Sequence, residues 1–221
     1  MATTTNLGRT AVEHDTELLR LLVRLADARK ALASARAAVL RSPRLYAGSS
    51  RTVDITGDYG RIVERGVPVA ALPVGSCYWQ AKTYTRGEEG AYIVTSDGPR
   101  RATVDDVIGE ASERTSAAYE QAVVAVQDVS TDIDVLEEGY TGWNRYFLVV
   151  SSAGHVHRST RCSTCTHSTA YMPLTALSGK SDADAVALLG EHLCSVCFPD
   201  APVGSSKIPK AAALALLMSR E

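Results

Sequence analysis

Two Cys-x-x-Cys pairs in the last third of the chain are the residues whose type and spacing point most directly to chemistry. They stand about thirty residues apart. A tetrahedral Zn²⁺ takes four soft ligands, and two tight turns that each present two thiolates can supply them. The pattern predicts a zinc site with the ligands Cys162, Cys165, Cys194 and Cys197. Since four thiolates leave no coordination position for water, such a site is expected to be structural.

His157 is an alternative fourth ligand in place of Cys165. The order of His157, Cys162, a short Ala-rich stretch ending at Gly190, and a closing Cys-x-x-Cys resembles the Ada-type metal-binding hairpin module. That resemblance implies the ligand set His157, Cys162, Cys194 and Cys197. Because the spacing here is one residue longer in two places, the four-cysteine set is the main expectation and the histidine set stays open.

Catalysis by histidines near the cysteines is a competing hypothesis. The candidates are His155, His157, His167 and His192. A zinc-supported nuclease hairpin needs a further His or Asn ligand on the following helix, and the predicted helix from Asp182 to Leu189 offers only Asp182 and Asp184. The His-x-Glu element of zinc deaminases is absent from the sequence. We therefore expect no catalytic residue, with a nucleic-acid enzyme as the alternative.

The composition is that of an ordinary globular protein, with 45% apolar residues, 6% aromatic residues and a net charge of -2. No run of eighteen apolar residues occurs, and the first residues lack the pattern of a signal peptide. The sequence therefore predicts a cytoplasmic protein with no membrane partner and no evident small-molecule substrate. Cys77 has no histidine near it in sequence, and we interpret it as a buried, unreactive thiol.

Two long helices are predicted, at about residues 11–41 and 103–138. Thr10 and Thr103 each precede an acidic residue by three positions, which is the capping-box pattern. Apolar residues then recur every three or four positions on one stripe of each helix. In the first stripe they are Leu18, Leu22, Leu25, Ala28, Leu32, Ala35 and Val39. In the second they are Val104, Ile108, Ala111, Thr115, Ala118, Ala122, Val126, Val129, Ile133 and Leu136.

These helices carry opposite charge. Residues 1–51 contain nine Lys/Arg and four Asp/Glu, and residues 97–140 contain three and eleven, giving about +5 and -8. Complementary charge and small side chains favour an antiparallel, coiled-coil-like stalk formed within one chain. Pairing of these helices between chains, giving an oligomer, is the alternative.

The rest of the chain predicts short strands and one short helix. Strands are expected at Thr52–Ile55, Ile62–Val69, Tyr78–Thr85 and Ala91–Thr95, with a hairpin loop at 86–90. A strand at 145–150 and a return strand at 155–158 lead into the first cysteine pair. Ser181 and Gly190 should cap a helix between them.

The predicted fold is therefore α+β: the stalk, a small β unit between its helices, and a zinc-bound hairpin and helix module. Its segments are 1–42, 43–99, 100–140, 141–203 and 204–221, the last a tail that includes a possible helix at 209–220.

A closer resemblance covers about residues 141–203. Gly154-His-Val-His157, Cys162-Ser-Thr-Cys165 and the run from Leu193 to Val203 resemble a group of proteins encoded by actinobacteriophages and related mobile elements. The resemblance implies a phage or plasmid source, hence a bacterial host cell, and no particular activity.

The expected function is that of a non-catalytic phage accessory protein whose zinc module docks on a host protein or nucleic acid. A modestly basic surface beside the module is the predicted contact, formed by Arg158, Arg161, Lys180, His155 and His167. A virion structural protein is a further alternative.

Overall fold

The structure is a computed structural model that describes residues 9–43, 45–49, 52–56, 62–80, 90–150, 154–166 and 169–202. The chain divides into two compact units. The first consists of Met1–Ala26 with Asp128–Glu221, and the second of Asp27–Gln127. Each of the two long helices contributes one part to the first unit and one part to the second.

The first helix, α1, spans Ala11–Leu40. Its predicted cap is confirmed, because Glu13 Oε2 accepts hydrogen bonds from the Thr10 backbone N–H at 2.8 Å and from the Thr10 hydroxyl at 3.0 Å. The helix ends before Pro43, which cannot continue it. Every residue of its predicted apolar stripe is buried or half-buried.

The second unit contains a mixed six-stranded sheet in the order β3-β2-β1-β4-β5-β6. Its strands are β1 (Leu45–Ser49), β2 (Thr52–Thr56), β3 (Ile62–Pro68), β4 (Cys77–Gln80), β5 (Gly90–Thr95) and β6 (Gly98–Arg101). Neighbours are antiparallel except β1 and β4, which are parallel. The sequence predicted β2 to β5 and missed β1 and β6. The Gly-Pro-Arg-Arg of β6 has no strand propensity, and its proline is tolerated because β6 is an edge strand.

The second predicted long helix is divided, which corrects the expectation of one helix from residue 103 to 138. A short helix α2 (Val104–Val107) passes into a 3₁₀ turn, and α3 begins only at Glu113 and runs to Glu137. Gly109 lies in the turn, where its low helix propensity favours the break. Ser112 then caps α3, since its Oγ accepts a hydrogen bond from the Thr115 backbone N–H at 3.3 Å.

The first unit contains a three-stranded antiparallel sheet in the order β8-β7-β9. Its strands are β7 (Phe147–Val149), β8 (Val156–His157) and β9 (Tyr171–Pro173). The predicted hairpin is thus present as β7 and β8, while β9 was not predicted. Helix α4 (Asp182–Leu189) has the predicted bounds, with a capping box between Ser181 and Asp184 and Gly190 at its end.

Each unit has its own apolar core. In the first unit the buried residues are Tyr146, Leu148, Val156, Leu174, Leu177, Ala185, Leu189, Leu193 and Phe198, with a smaller cluster of Leu18, Leu21 and Leu136. In the second unit they are Val39, Cys77, Ala91, Val104 and Val107, with a smaller cluster of Val69, Tyr78 and Val94. Cys77 is 2% exposed and its Sγ lies 3.4 Å from the carbonyl oxygen of Asp106, so the prediction of a buried thiol is confirmed.

The mixed helix and sheet content confirms the α+β class, while the stalk stays a prediction. No helix among the described residues is long and apolar enough to cross a bilayer. Several predicted features lie outside the described residues. They are residues 86–89 of the predicted loop at 86–90, residues 81–85 of the predicted strand Tyr78–Thr85, the predicted tail helix at 209–220, and His167.

Candidate metal centre

Backbone hydrogen bonds bring the hairpin and both cysteine turns to one place. The Cys194 N–H donates to the carbonyl of Val156 at 2.9 Å, which fixes the second turn beside β8. Within the turns, the Cys165 N–H donates to the Cys162 carbonyl at 3.0 Å and the Phe198 N–H to the Cys194 carbonyl at 2.9 Å. The side chains of both turns therefore face the end of β8, where His157 lies.

Four side chains form a compact ligand cluster: His157, Cys162, Cys194 and Cys197. One ligand atom from each lies within 4.8 Å of those from the other three. The Sγ atoms of Cys162 and Cys194 are 3.8 Å apart, and Cys197 Sγ lies 3.6 Å from His157 Nδ1. The residues are buried or half-buried, with His157 fully buried.

These separations match the edges of a metal tetrahedron. With metal–sulfur bonds of about 2.3 Å and metal–nitrogen bonds of about 2.0–2.1 Å, tetrahedral geometry places two sulfurs about 3.8 Å apart and a sulfur and nitrogen about 3.6 Å apart. Two contacts within the cluster have these lengths. None of the five cysteines forms a disulfide, so a disulfide does not account for the approach.

Cys165 lies beside this cluster and not within it. Its Sγ is 3.5 Å from Nε2 and 3.8 Å from Nδ1 of His157, so it packs against the imidazole ring. Three of the four cysteines predicted as ligands therefore belong to the cluster, and its fourth member is the histidine of the alternative set. Contact with the Cys165 sulfur restricts the orientation of the His157 ring.

Burial keeps the histidine in the form that a metal requires. It lowers the pKa of His157 to about 4, with a smaller contribution from His155, so the imidazole is neutral at physiological pH. Burial raises the pKa of Cys162, but hydrogen bonds with Thr164 and with neighbouring thiols outweigh it and lower that pKa to about 7. Burial raises the pKa of Cys197 to about 11.

Thr164 is a neighbour of the site that sequence reasoning missed. Its hydroxyl oxygen lies 3.2 Å from Cys162 Sγ and 3.8 Å from Cys194 Sγ. A hydroxyl that donates to a thiolate stabilises the charged form, as does the backbone of the same residue. The sequence signal was its place between the two cysteines of the first turn.

The hairpin histidines are poorly placed for catalysis. His157 belongs to the ligand cluster and is fully buried, so a substrate has no access to it. His155 is half-buried, and its ring centroid lies 4.5 Å from that of His157. Of the four candidate histidines, His157 thus lies within the cluster and His155 packs beside it.

The predicted basic surface is only partly available. Arg158 forms an ion pair with Asp182 and its guanidinium lies 5.0 Å from the centroid of the Phe198 ring. Arg161 and Lys180 are exposed, and neither side chain has an ion-pair partner among the residues that the structure describes.

A second polar cluster in the same unit was not predicted. Asp15 Oδ1 accepts from Arg145 Nε at 2.7 Å, and its Oδ2 accepts from the Ser178 hydroxyl at 2.6 Å. Arg145 also donates to Glu137 at 2.7 Å and to His14 Nδ1 at 2.9 Å, while His14 Nε2 lies 2.7 Å from the Leu136 carbonyl oxygen. His14 precedes Leu18 by four positions, so extending the apolar stripe backwards would have indicated its burial.

Comparisons with known proteins add no relative: neither the family models, nor the curated proteins, nor the solved structures that were searched match this chain.

Proposed function

We propose that residues 141–202 form a structural module closed by one zinc ion, held by His157, Cys162, Cys194 and Cys197. The observation that carries this proposal is the agreement between the contacts of 3.8 and 3.6 Å and the edges of a zinc tetrahedron. Three thiolates and one imidazole are soft donors that suit Zn²⁺ better than Mg²⁺ or Ca²⁺. The bound ion would join β8 to both cysteine turns.

The proposed zinc supplies shape and not reactivity. Four protein ligands fill a tetrahedral site, which leaves no position for a metal-bound water. The proposed ion would also support the apolar core of the module. Val156 and Leu193, which are next to His157 and Cys194 in sequence, are buried in that core. We therefore propose that the protein is not an enzyme and that this region is a binding module.

The ligand set is tested by two substitutions with opposite expected outcomes. His157→Gln should abolish stoichiometric zinc in protein purified under reducing conditions, because it removes one of four ligands. Cys165→Ser should retain one zinc per chain with at most a 10- to 100-fold loss of affinity, as expected for a residue that orients a ligand. Metal content is measured by mass spectrometry, and affinity by competition with a chelator.

The two competing ligand sets are distinguished by the same pair. If Cys165→Ser loses the metal and His157→Gln keeps it, the four-cysteine set is right and the histidine set is wrong. Cys77→Ser is the matched control, since its sulfur lies in the core of the other unit and its loss should leave zinc content unchanged. Wild-type protein without zinc would overturn the proposal altogether.

We further propose that the module docks on a macromolecule of a bacterial host, as part of a phage accessory protein. The exposed cations Arg161 and Lys180 beside the module support this role, because both are free to contact phosphate or carboxylate groups. Arg158 contributes less, since Asp182 already neutralises it.

The docking proposal is tested by charge reversal at Arg161 and Lys180. The double variant should lose salt-dependent retention on immobilised host RNA or host protein while its zinc content stays at one per chain. Reversal of Arg9, an exposed cation outside the module, is the control. Equal retention by the double variant and the wild type would contradict the role of this surface.

We also propose that α1 and α3 pair antiparallel. In the first unit Leu18 and Leu21 of α1 pack against Leu136 near the end of α3, and Arg24 forms an ion pair with Asp132 at 3.5 Å. In the second unit Val39, near the end of α1, packs against the residues that precede α3. The start of one helix thus adjoins the end of the other, as an antiparallel stalk requires.

A further inference from the structure

An open cleft in the second unit lies along the last three turns of α1. Its volume is about 550 Å³. One wall consists of Arg29, Leu32, Ala33, Arg36, Ala37 and Leu40, and the other of Thr103, Val104, Asp105 and Tyr119. The first wall repeats at intervals of three and four residues, so it is one continuous face of the helix about 17 Å long. The side chains in the middle of this wall are the small Ala33 and Ala37, and small side chains allow another helix to approach closely.

The two arginines of this wall are free charges. Arg29 and Arg36 are both exposed, and neither has an ion-pair or hydrogen-bond partner in the described part of the chain. They lie seven residues apart, about 10.5 Å along the axis. A partner helix with two carboxylates at the same spacing would satisfy both.

The chain itself carries such a helix face. Glu113, Ala117, Glu120 and Val124 of α3 have the spacing of Arg29, Ala33, Arg36 and Leu40, with acidic residues in place of the basic ones. Both glutamates are exposed and Val124 is 52% exposed. Ala122 is buried and lies two residues, or about 200°, from both Glu120 and Val124, so this face points away from the protein.

We propose that the cleft on α1 binds the outward face of α3 from a second copy of this chain. In a parallel arrangement Arg29 meets Glu113 and Arg36 meets Glu120. Alanines lie between the two ion pairs, and Leu40 packs on Val124. An antiparallel arrangement also matches the charges, but it places Leu40 and Val124 at opposite ends, which favours the parallel one. The interaction is independent of the proposed zinc site, whose ligands all lie in the other unit.

Charge reversal on each face followed by mixing tests this interface. Arg29→Glu with Arg36→Glu, and separately Glu113→Arg with Glu120→Arg, should each raise the dissociation constant for self-association about tenfold or more through like-charge repulsion. An equimolar mixture of the two double variants should associate again, because each supplies the face that the other has lost. Self-association of the two double variants and of their mixture is measured by sedimentation velocity over a range of concentrations at low and high salt.

The control is Lys30→Glu, which changes an exposed cation on the same helix that does not line the cleft. It should leave association unchanged. A monomeric wild type at every concentration, or a mixture that fails to associate, would overturn the proposal. Thermal unfolding checks that each variant is folded. If a charge-reversal variant does not fold, Arg36→Gln and Glu120→Gln take its place, and they should weaken association by a smaller amount.

Discussion

Asp15 connects distant parts of the first unit through its two carboxylate oxygens. It is 1% exposed and accepts hydrogen bonds from Arg145, Ser178 and Trp143. A buried carboxylate is stable only when such partners replace the water it has lost. The partners lie 128 to 163 residues away in sequence, so their contact joins the start of α1 to the segment after α3 and to the segment between β9 and α4.

Removing this carboxylate should be costly. Asp15→Ala leaves the Arg145 guanidinium buried with only part of its charge balanced, and we expect a loss of about 3 kcal/mol in the free energy of unfolding. Urea denaturation followed by circular dichroism measures it. Glu17→Ala is the matched control, since Glu17 pairs with the exposed Arg20 and should cost less than about 1 kcal/mol. Equal losses would show that the cluster adds no stability.

The residues that form a site could be predicted from the sequence only where they are close together in the chain. The two cysteine pairs were found because each pair lies within one turn, and their spacing restricts what they can bind. The choice between His157 and Cys165 was not decided, since it depends on which of these two neighbouring side chains the fold brings within ligand distance of the other three cysteines. The Asp15 cluster has no local pattern at all.

The long helices follow their apolar stripes closely. Nearly all the residues predicted to face inward on α1, α2 and α3 are buried or half-buried, and the exception is the exposed Ala118. Periodicity therefore predicted which face of each helix is covered. It did not predict the break before α3, which depends on Gly109 and on the cap at Ser112, or the short strands β1, β6 and β9.

The inward face of α3 can be tested at two adjacent residues. Leu136 is 3% exposed and packs with Leu18 and Leu21, whereas Val135 is 54% exposed. Leu136→Ala should lower the free energy of unfolding by about 2–5 kcal/mol, because it leaves a cavity in a small cluster. Val135→Ala should change it by less than about 0.5 kcal/mol. Chemical denaturation of the two variants decides whether this end of α3 is anchored on α1.

For the whole molecule, the fold class and most of the elements could be predicted, but the arrangement of the strands in the sheet could not. The order β3-β2-β1-β4 requires β1 to pair in parallel with a strand about thirty residues later, and no turn in the sequence specifies that. The opposite charges of the two long helices predicted attraction between them. Among the described residues, one ion pair, Arg24 with Asp132, joins α1 to α3 directly.

The long separation between α1 and its packing partners has a consequence for synthesis on the ribosome. Leu136, which covers Leu18 and Leu21, is made 122 positions after His14 in the first turn of α1. At about 5–20 residues per second, translation takes on the order of 6–24 s to cover that distance. The second unit, whose residues are consecutive, can fold during this interval. The nascent chain therefore carries a folded second unit while the leucines of α1 remain exposed, and this is the period when a chaperone would bind it.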